Sequence, residues 1–264
     1  MSMMTNVTNQ SIDNVCASLK ERMMNTVKHY LERVPSLELK QAMQYTLLNG
    51  GKGFRPLLVY AVGLAFKADV NELDAPAAAV ELIHTYSLIH DDLPCMDNAP
   101  LRRGKPTAHT MYGDGLAVLA GDALQTLAFQ LLSSNPSAIL PPRRLQMIEA
   151  LAEASGSLGM AAGQAMDIIT MHDVDMTPEL CKRVYHYKTG MLIQAAVQLG
   201  FLASKEDDEK QYDNLCAFGT EIGLAFQIQD DLLDMEGSTD ELGKAQGMDS
   251  KQAKFTYPQL IGVK

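Results

Sequence analysis

Apolar residues along this chain recur at steps of three and four, a spacing that predicts helices over segments such as 76–91, 115–132, 143–169 and 179–203. Period-two alternation bounded by turn residues is hard to find, and Ala, Leu, Met and Gln are abundant. The expectation is an all-α fold. Breaks rich in Gly, Pro, Asp or Asn fall at NGGKGFRP, KADVNELDAP, DNAPLRRGKP, SSNPSAILPP, HDVDMTP and EGSTDELGKAQG. They separate helices without forming a long linker, so residues 1–264 read as one domain.

Composition removes several function classes. Hydrophobic residues make up 47% of the chain, enough for a sizeable core. Its 22 basic and 32 acidic residues give a net charge of -10, and no stretch forms a sustained basic stripe, which argues against a nucleic-acid binder. Cys16, Cys95, Cys181 and Cys216 lie far apart without a CxxC pair and read as packing thiols of a reducing compartment. The opening MSMMTNVTNQ lacks a basic region followed by an apolar core, and no run of 18 apolar residues suggests a membrane span. A cytoplasmic location is the default expectation.

Charge placement then changes the picture. Two apolar helical runs end in paired aspartates, at Asp91–Asp92 and at Asp230–Asp231, about 139 residues apart. In FQIQDDLLD a continuing helix sets Asp230 and Asp234 on one face with Asp231 alongside. Taken alone, such a cluster also fits a solvated acidic face. Carboxylates at a helix C-terminus, however, oppose the macrodipole at about 0.3–1 kcal/mol each, and a cation would relieve them. Oxygen ligands without His or Cys favour Mg²⁺ shared with phosphates. In the first cluster Pro94 disfavours a regular helix, so Asp97 must arrive from a turn. Two such clusters suggest one site between facing helices. Arg102, Arg103 and Lys105 follow the first cluster, and GGKGFRP offers Lys52 and Arg55 on a glycine-rich loop able to approach an anion. Cations facing metals imply diphosphates.

GGKGFRP, DDLPCMD…LRRGKPTAH, GQAMDI, YKTG, FQIQDDLLD, GKAQGMD and KFTYP together resemble, in order and spacing, the trans-isoprenyl diphosphate synthases, with the bacterial short-chain farnesyl type as the nearest match. The resemblance implies a bundle of antiparallel helices around a deep central cavity, a homodimer, and condensation of isopentenyl diphosphate with an allylic diphosphate. It implies three Mg²⁺, with Mn²⁺ as an alternative, held by Asp91, Asp92, Asp97, Asp230, Asp231 and Asp234. It assigns the allylic diphosphate to Arg102, Lys188, Thr189, Gln227, Lys244 and Lys254, and isopentenyl diphosphate to Lys52, Arg55, His84 and Arg103. The latter set contains no acid. Gln164, Thr189 and Gln227 match polar residues lining the reacting carbons, and Asp91, Asp92, Lys188, Gln227 and Asp230 form the catalytic group. No dedicated protein base is evident, in keeping with use of released pyrophosphate to take the final proton.

Read singly, His84 fits a core histidine, Lys188–Gly190 a helix interruption, and Lys244 and Lys254 solvated lysines. Met160, Met166 and Met171 read as core. Tyr86 lies five residues before Asp91, roughly 7.5 Å along a helix at about 1.5 Å per residue. With small Ser87 beside it, Tyr86 is expected to floor the cavity and set a fifteen-carbon product, geranyl and geranylgeranyl products being the alternatives. Two features depart from the family pattern: Asn98 and Ala99 stand where relatives often carry aspartates, and the chain stops at Lys264, where relatives continue with one or two helices. A terpene cyclase or a non-catalytic partner subunit are the rival readings. The first is opposed by Lys52, Arg55 and Arg103, and the second by the two complete aspartate clusters.

Overall fold

The computed structural model describes residues 11–134, 137–173, 176–236 and 256–262. Helices dominate, as the periodicity predicts: α1 (Ile12–Leu31), α2 (Leu37–Leu48), α3 (Phe54–Ala65), α4 (Val70–Asp91), α5 (Ala108–Tyr112), α6 (Asp114–Ser134), α7 (Pro141–Ser155), α8 (Met160–Asp173), α9 (Pro178–Tyr185), α10 (Met191–Leu202), α11 (Glu209–Glu236) and the short α12 (Tyr257–Leu260). Several starts are written locally. The side chains of Ser36, Asp69 and Thr177 accept from the backbone N–H groups of Leu39, Asn71 and Leu180, capping α2, α4 and α9.

Helix α4 is apolar on nearly every side and accordingly lies in the middle of the bundle, packed by α1, α3, α6 and α10. Leu73, Ala77, Ala78, Val80, Leu82 and Ile83 are fully buried there. A polar clamp fixes its first turns: Asp74 accepts from the hydroxyl of buried Tyr60 at 2.7 Å and from Arg22 at 2.7 and 3.1 Å, joining α1, α3 and α4. Helix α6 is long and apolar enough, by length and composition alone, to cross a membrane, although no unbroken apolar run marks it in the sequence. It packs along α4 and α2 with Ala117, Ala120, Leu124, Ala128 and Leu131 in the core.

Four local expectations are corrected. The break expected through Pro76 ends at Asp69, because the Asp69 cap starts α4 at Val70 and Pro76 is accommodated inside the helix. The segment 143–169 is two helices, parted by a turn from Gly156 to Gly159. The run 179–203 is interrupted by a π turn, His186–Gly190. The break DNAPLRRGKP contains an antiparallel pair, β1 (Leu101–Arg102) and β2 (Lys105–Pro106). Arg103 and Gly104 between them have φ of 53° and 73°, the left-handed pair that a tight two-residue hairpin turn requires.

Candidate active site

Asp91 is the last residue of α4 and Asp92 its C-cap. The chain then turns on itself: Asp97 N–H donates to Asp91 O at 2.9 Å, and Ala99 N–H to Asp92 O at 3.2 Å. Asp97 thus arrives from a turn, as the position of Pro94 requires. Beside this end of α4 opens a cavity of about 400 Å³. Helix α4 contributes His84, Tyr86, Ser87, Leu88 and Asp91 to its wall; α8 contributes Met160, Gln164 and Ile168; the π turn contributes Lys188 and Thr189; and Arg55 enters from α3. Met160, expected only as core, is buried and also faces this space, which its apolar character in the sequence could not reveal. Both polar side-chain atoms of Gln164 are buried, without a hydrogen-bond partner among the described residues, in the wall of this cavity.

The acidic mouth is electrostatically loaded. Burial pushes the Asp91 carboxyl up to about 6; Lys188 and Arg102 oppose the shift, and the like charges of Asp97 and Asp92 add to it. Asp92, 2% exposed, is held from two sides by Arg102, whose Nε and Nη2 donate at 2.8 Å to its two oxygens. Lys188 Nζ donates to Asp167 Oδ2 at 2.5 Å. Asp167, in the GQAMDI motif, was not singled out by sequence, where only the neighbouring Gln164 attracted notice. Among the described side chains no three His, Cys, Asp or Glu groups converge closely enough to hold a metal alone. The donor set nevertheless fits a hard cation: Asp91 and Asp97 are mutually repelling oxygen donors, and Mg²⁺ characteristically completes its shell with water and phosphate.

Of the expected isopentenyl diphosphate set, Arg55 and Arg103 lie near His84. Arg103 Nη1 donates to Gly50 O, Lys20 Nζ to Gly51 O, and Lys105 Nζ to Asn49 Oδ1 at 3.1 Å, so helix α1 and the hairpin pin the loop before α3. Gly51 has φ of 141°, and a Cβ there would lie 2.7 Å from the Arg103 guanidinium. Lys52 is exposed, whereas Arg55 is 9% exposed, with Nε lacking a partner among the described residues and its guanidinium 5.9 Å from the Phe226 ring centroid. Phe226 in turn stacks on Phe54 at 4.9 Å. Burial lowers Arg55 to about 10, while the charges of Glu81 and Asp230 raise it. His84 is held well below its ordinary value by burial and then by Arg55, Arg103 and Arg102, so it enters the site neutral. The expectation of an acid-free set is corrected: Glu81, one turn before His84 on α4, interacts with Arg55, Arg103 and Lys20, although burial raises its own pKa. Its i to i+3 spacing from His84 is the signal that was available.

The third wall is made by close backbone approach. A Cβ on Gly163 of α8 would fall 2.1 Å from Lys188 N, and one on Gly223 of α11 would fall 2.7 Å from Gly190 Cα. Two glycines therefore let the π turn wedge between α8 and α11, which brings Lys188 and Thr189 to the cavity. Thr189 Oγ1 donates to Gln227 Oε1 at 3.0 Å, and Gln227 Nε2 to Asp231 Oδ1 at 3.4 Å. Helix α11 runs on to Glu236, past the point where the sequence suggested it would end; Asp230, within its last two turns, is exposed toward Arg55, whereas Asp231 is 3% exposed and accepts from the Tyr185 hydroxyl at 2.5 Å. Asp231 is thus linked through Gln227 and Thr189 to the cavity that Asp91 and Lys188 line. Lys244, Lys254 and the side chain of Asp234 lie outside the described residues. Tyr86 is in the cavity wall, edge-on to His90 at 5.7 Å, with its hydroxyl 3.5 Å from Ser155 O; Ser87 Oγ donates back to His84 O at 2.9 Å.

A family profile described as polyprenyl synthetase matches residues 36–264. The chain is 50% identical over 224 residues to the farnesyl diphosphate synthase of Escherichia coli (strain K12), covering 84% of this chain and 75% of that protein. It is 43% identical over 255 residues to the farnesyl diphosphate synthase of Geobacillus stearothermophilus, covering 96% and 85%. Its fold is similar to the crystal structure of an FPP/GFPP synthase from Zymomonas mobilis, with a TM-score of 0.84, 39% identity, and coverage of 95% and 85%.

Proposed function

Because the chain belongs to the polyprenyl synthetase family, we propose that it is a short-chain trans-prenyltransferase, joining isopentenyl diphosphate to dimethylallyl or geranyl diphosphate to give farnesyl diphosphate and pyrophosphate. The observation that carries this reading is a single cavity in which Asp91 and Lys188 share a mouth while Leu88, Met96, Met160 and Ile168 supply apolar wall. Charge of both signs at one end and hydrocarbon surface beyond it suit a molecule with a diphosphate head and an isoprenoid tail.

In this reading Arg102, Lys188, Lys244 and Lys254 bind the allylic diphosphate, and Lys52, Arg55, neutral His84 and Arg103 bind isopentenyl diphosphate. Magnesium, when bound, supplies further positive charge for the departing diphosphate. Asp91, Asp97 and Asp230 are the carboxylates we assign to it, with Asp234 at the same helix end. Asp92 and Asp231 already serve Arg102 and Tyr185. The carbon–oxygen bond of the allylic substrate breaks, its carbon bonds to the isopentenyl alkene, and one proton leaves, taken by the released pyrophosphate. Thr189, Gln164 and Gln227 line the reacting carbons. A fifteen-carbon product follows if Tyr86 closes the tail end.

The chain is proposed to act in the cytoplasm as a homodimer, the dimer being supported by exposed Met111, Val118 and Leu119 on α5 and α6. Sedimentation of the wild type against Leu119→Glu tests the assembly, with a loss of mass by half expected. Function is tested by incubating the purified chain with geranyl diphosphate, isopentenyl diphosphate and Mg²⁺ and identifying the products. Farnesyl diphosphate is expected. Cyclised hydrocarbon without chain growth would point to a terpene cyclase, and no turnover by the folded chain to a partner subunit.

A further inference from the structure

Behind Gln227 a hydrogen-bond chain runs away from the cavity toward the C-terminal turn. One oxygen of Asp231 accepts from the Tyr185 hydroxyl at 2.5 Å and from the backbone N–H of Tyr257 at 3.3 Å; the other accepts from Gln227 Nε2 at 3.4 Å. Tyr257 N–H also lies 3.2 Å from the Tyr185 oxygen. The turn is held locally as well. Gln259 Oε1 accepts from Thr256 N–H at 3.3 Å, Pro258 is buried, and Lys182 Nζ sits 5.0 Å from the Tyr257 ring centroid.

These bonds share one direction. Taken as ionised, the Asp231 carboxylate only accepts, so Tyr185 commits its one proton to it and Gln227 turns its NH₂ group the same way. The Gln227 carbonyl oxygen is thereby fixed toward Thr189, whose hydroxyl donates to it at 3.0 Å. With its proton committed, Thr189 Oγ1 can offer only acceptor lone pairs to whatever occupies the cavity it lines. A flipped amide would set its carbonyl against the carboxylate and release the threonine rotor.

We propose that Asp231 and Tyr185 are positioning residues for prenyl transfer: through Gln227 they hold Thr189 as an acceptor facing the cavity, and they tie that polarity to docking of the turn at Thr256–Gly262. The proposal rests on the prenyltransferase reading only for its activity readout. It makes the inner aspartate of the second cluster a tether to α9 and α12, whereas the sequence motif alone places it among the metal ligands.

The test compares full-length wild type, Tyr185→Phe, Asp231→Asn and the double variant. Each single variant is expected to lower kcat about tenfold while the KM for isopentenyl diphosphate and the Mg²⁺ concentration for half-maximal rate stay within about twofold. The double variant should be no slower than the slower single one, because both changes break one chain. Amide exchange without substrates supplies a readout independent of turnover: Tyr185→Phe should speed exchange in residues 256–262. If Asp231→Asn does not fold, Tyr185→Phe, which keeps the ring, carries the test with Thr189→Val as the expected phenocopy. A folded Tyr185→Phe with wild-type kcat and exchange would overturn the proposal. So would a large Mg²⁺ shift confined to Asp231→Asn, which would make that residue a ligand. Inactive wild type would sink the prenyltransferase reading, leaving exchange to decide the tether.

Discussion

At the residue scale, Arg55 and Lys188 border the same cavity yet belong to different charge systems. Arg55 faces Glu81 and Asp230, whereas Lys188 faces Asp167 and Asp91. Arg55→Ala should therefore raise the KM for isopentenyl diphosphate about tenfold or more, the scale of one charge-assisted contact of about 1.5–3 kcal/mol, with a smaller effect on the allylic substrate. Lys188→Ala should do the reverse. Steady-state kinetics with each substrate varied in turn checks this, and equal effects on both would merge the two pockets. Tyr86→Ala should lengthen the product beyond fifteen carbons while turnover with geranyl diphosphate survives, since the ring stands in the cavity wall and supplies none of the charge assigned to the diphosphates; product chromatography decides it. Asp91, Lys188 and Arg55 were legible because their motifs carry both residue type and order. Glu81 and Asp167 were not, since each acts on a residue presented by another helix, and a single chain's pattern does not show what faces it.

At the element scale, the helices were legible wherever an apolar stripe lasted several turns. What escaped notice were features too short to have a period, the two-residue strands around Arg103–Gly104 and the Gly156–Gly159 turn, while the π turn at Lys188 was legible only as a helix interruption. The π turn also depends on neighbours without side chains. Gly163→Ala would drive a methyl group to 2.1 Å from the Lys188 backbone nitrogen. A loss of about 1–3 kcal/mol in stability is expected, together with weaker binding of the allylic substrate. Gly115→Ala is the control, since nothing lies within 4 Å of that position and alanine favours a helix. Urea unfolding of the two variants beside wild type makes the comparison, and a Gly163→Ala protein as stable and active as the control would show that the π turn shifts freely.

At the scale of the whole molecule, stability should carry a pH signature from the buried cationic corner. An unfolded histidine takes a proton near pH 6.5, about its ordinary value, whereas folded His84 resists, first because it is buried and then because of the charges of Arg55, Arg103 and Arg102. Its contribution is therefore complete above pH 6.5 and is lost as the pH falls from there toward the depressed folded-state value. Melting at pH 7.5 and 5.5 should show a larger drop for wild type than for His84→Gln; equal drops would place the acid sensitivity elsewhere. The overall bundle could be expected from the sequence, but not the way the anion pocket proposed for isopentenyl diphosphate is sewn together. Arg103 rests on Gly50 across 53 residues of chain, and Lys20 on Gly51 across 31. Such a pocket has no local precursor. It comes into being only after α1, the loop before α3 and the hairpin have all docked, and closing long segments of chain is what slows folding. During refolding from urea, helical circular dichroism should recover first and isopentenyl diphosphate binding last, so a newly made chain would carry most of its helices before it could hold its second substrate.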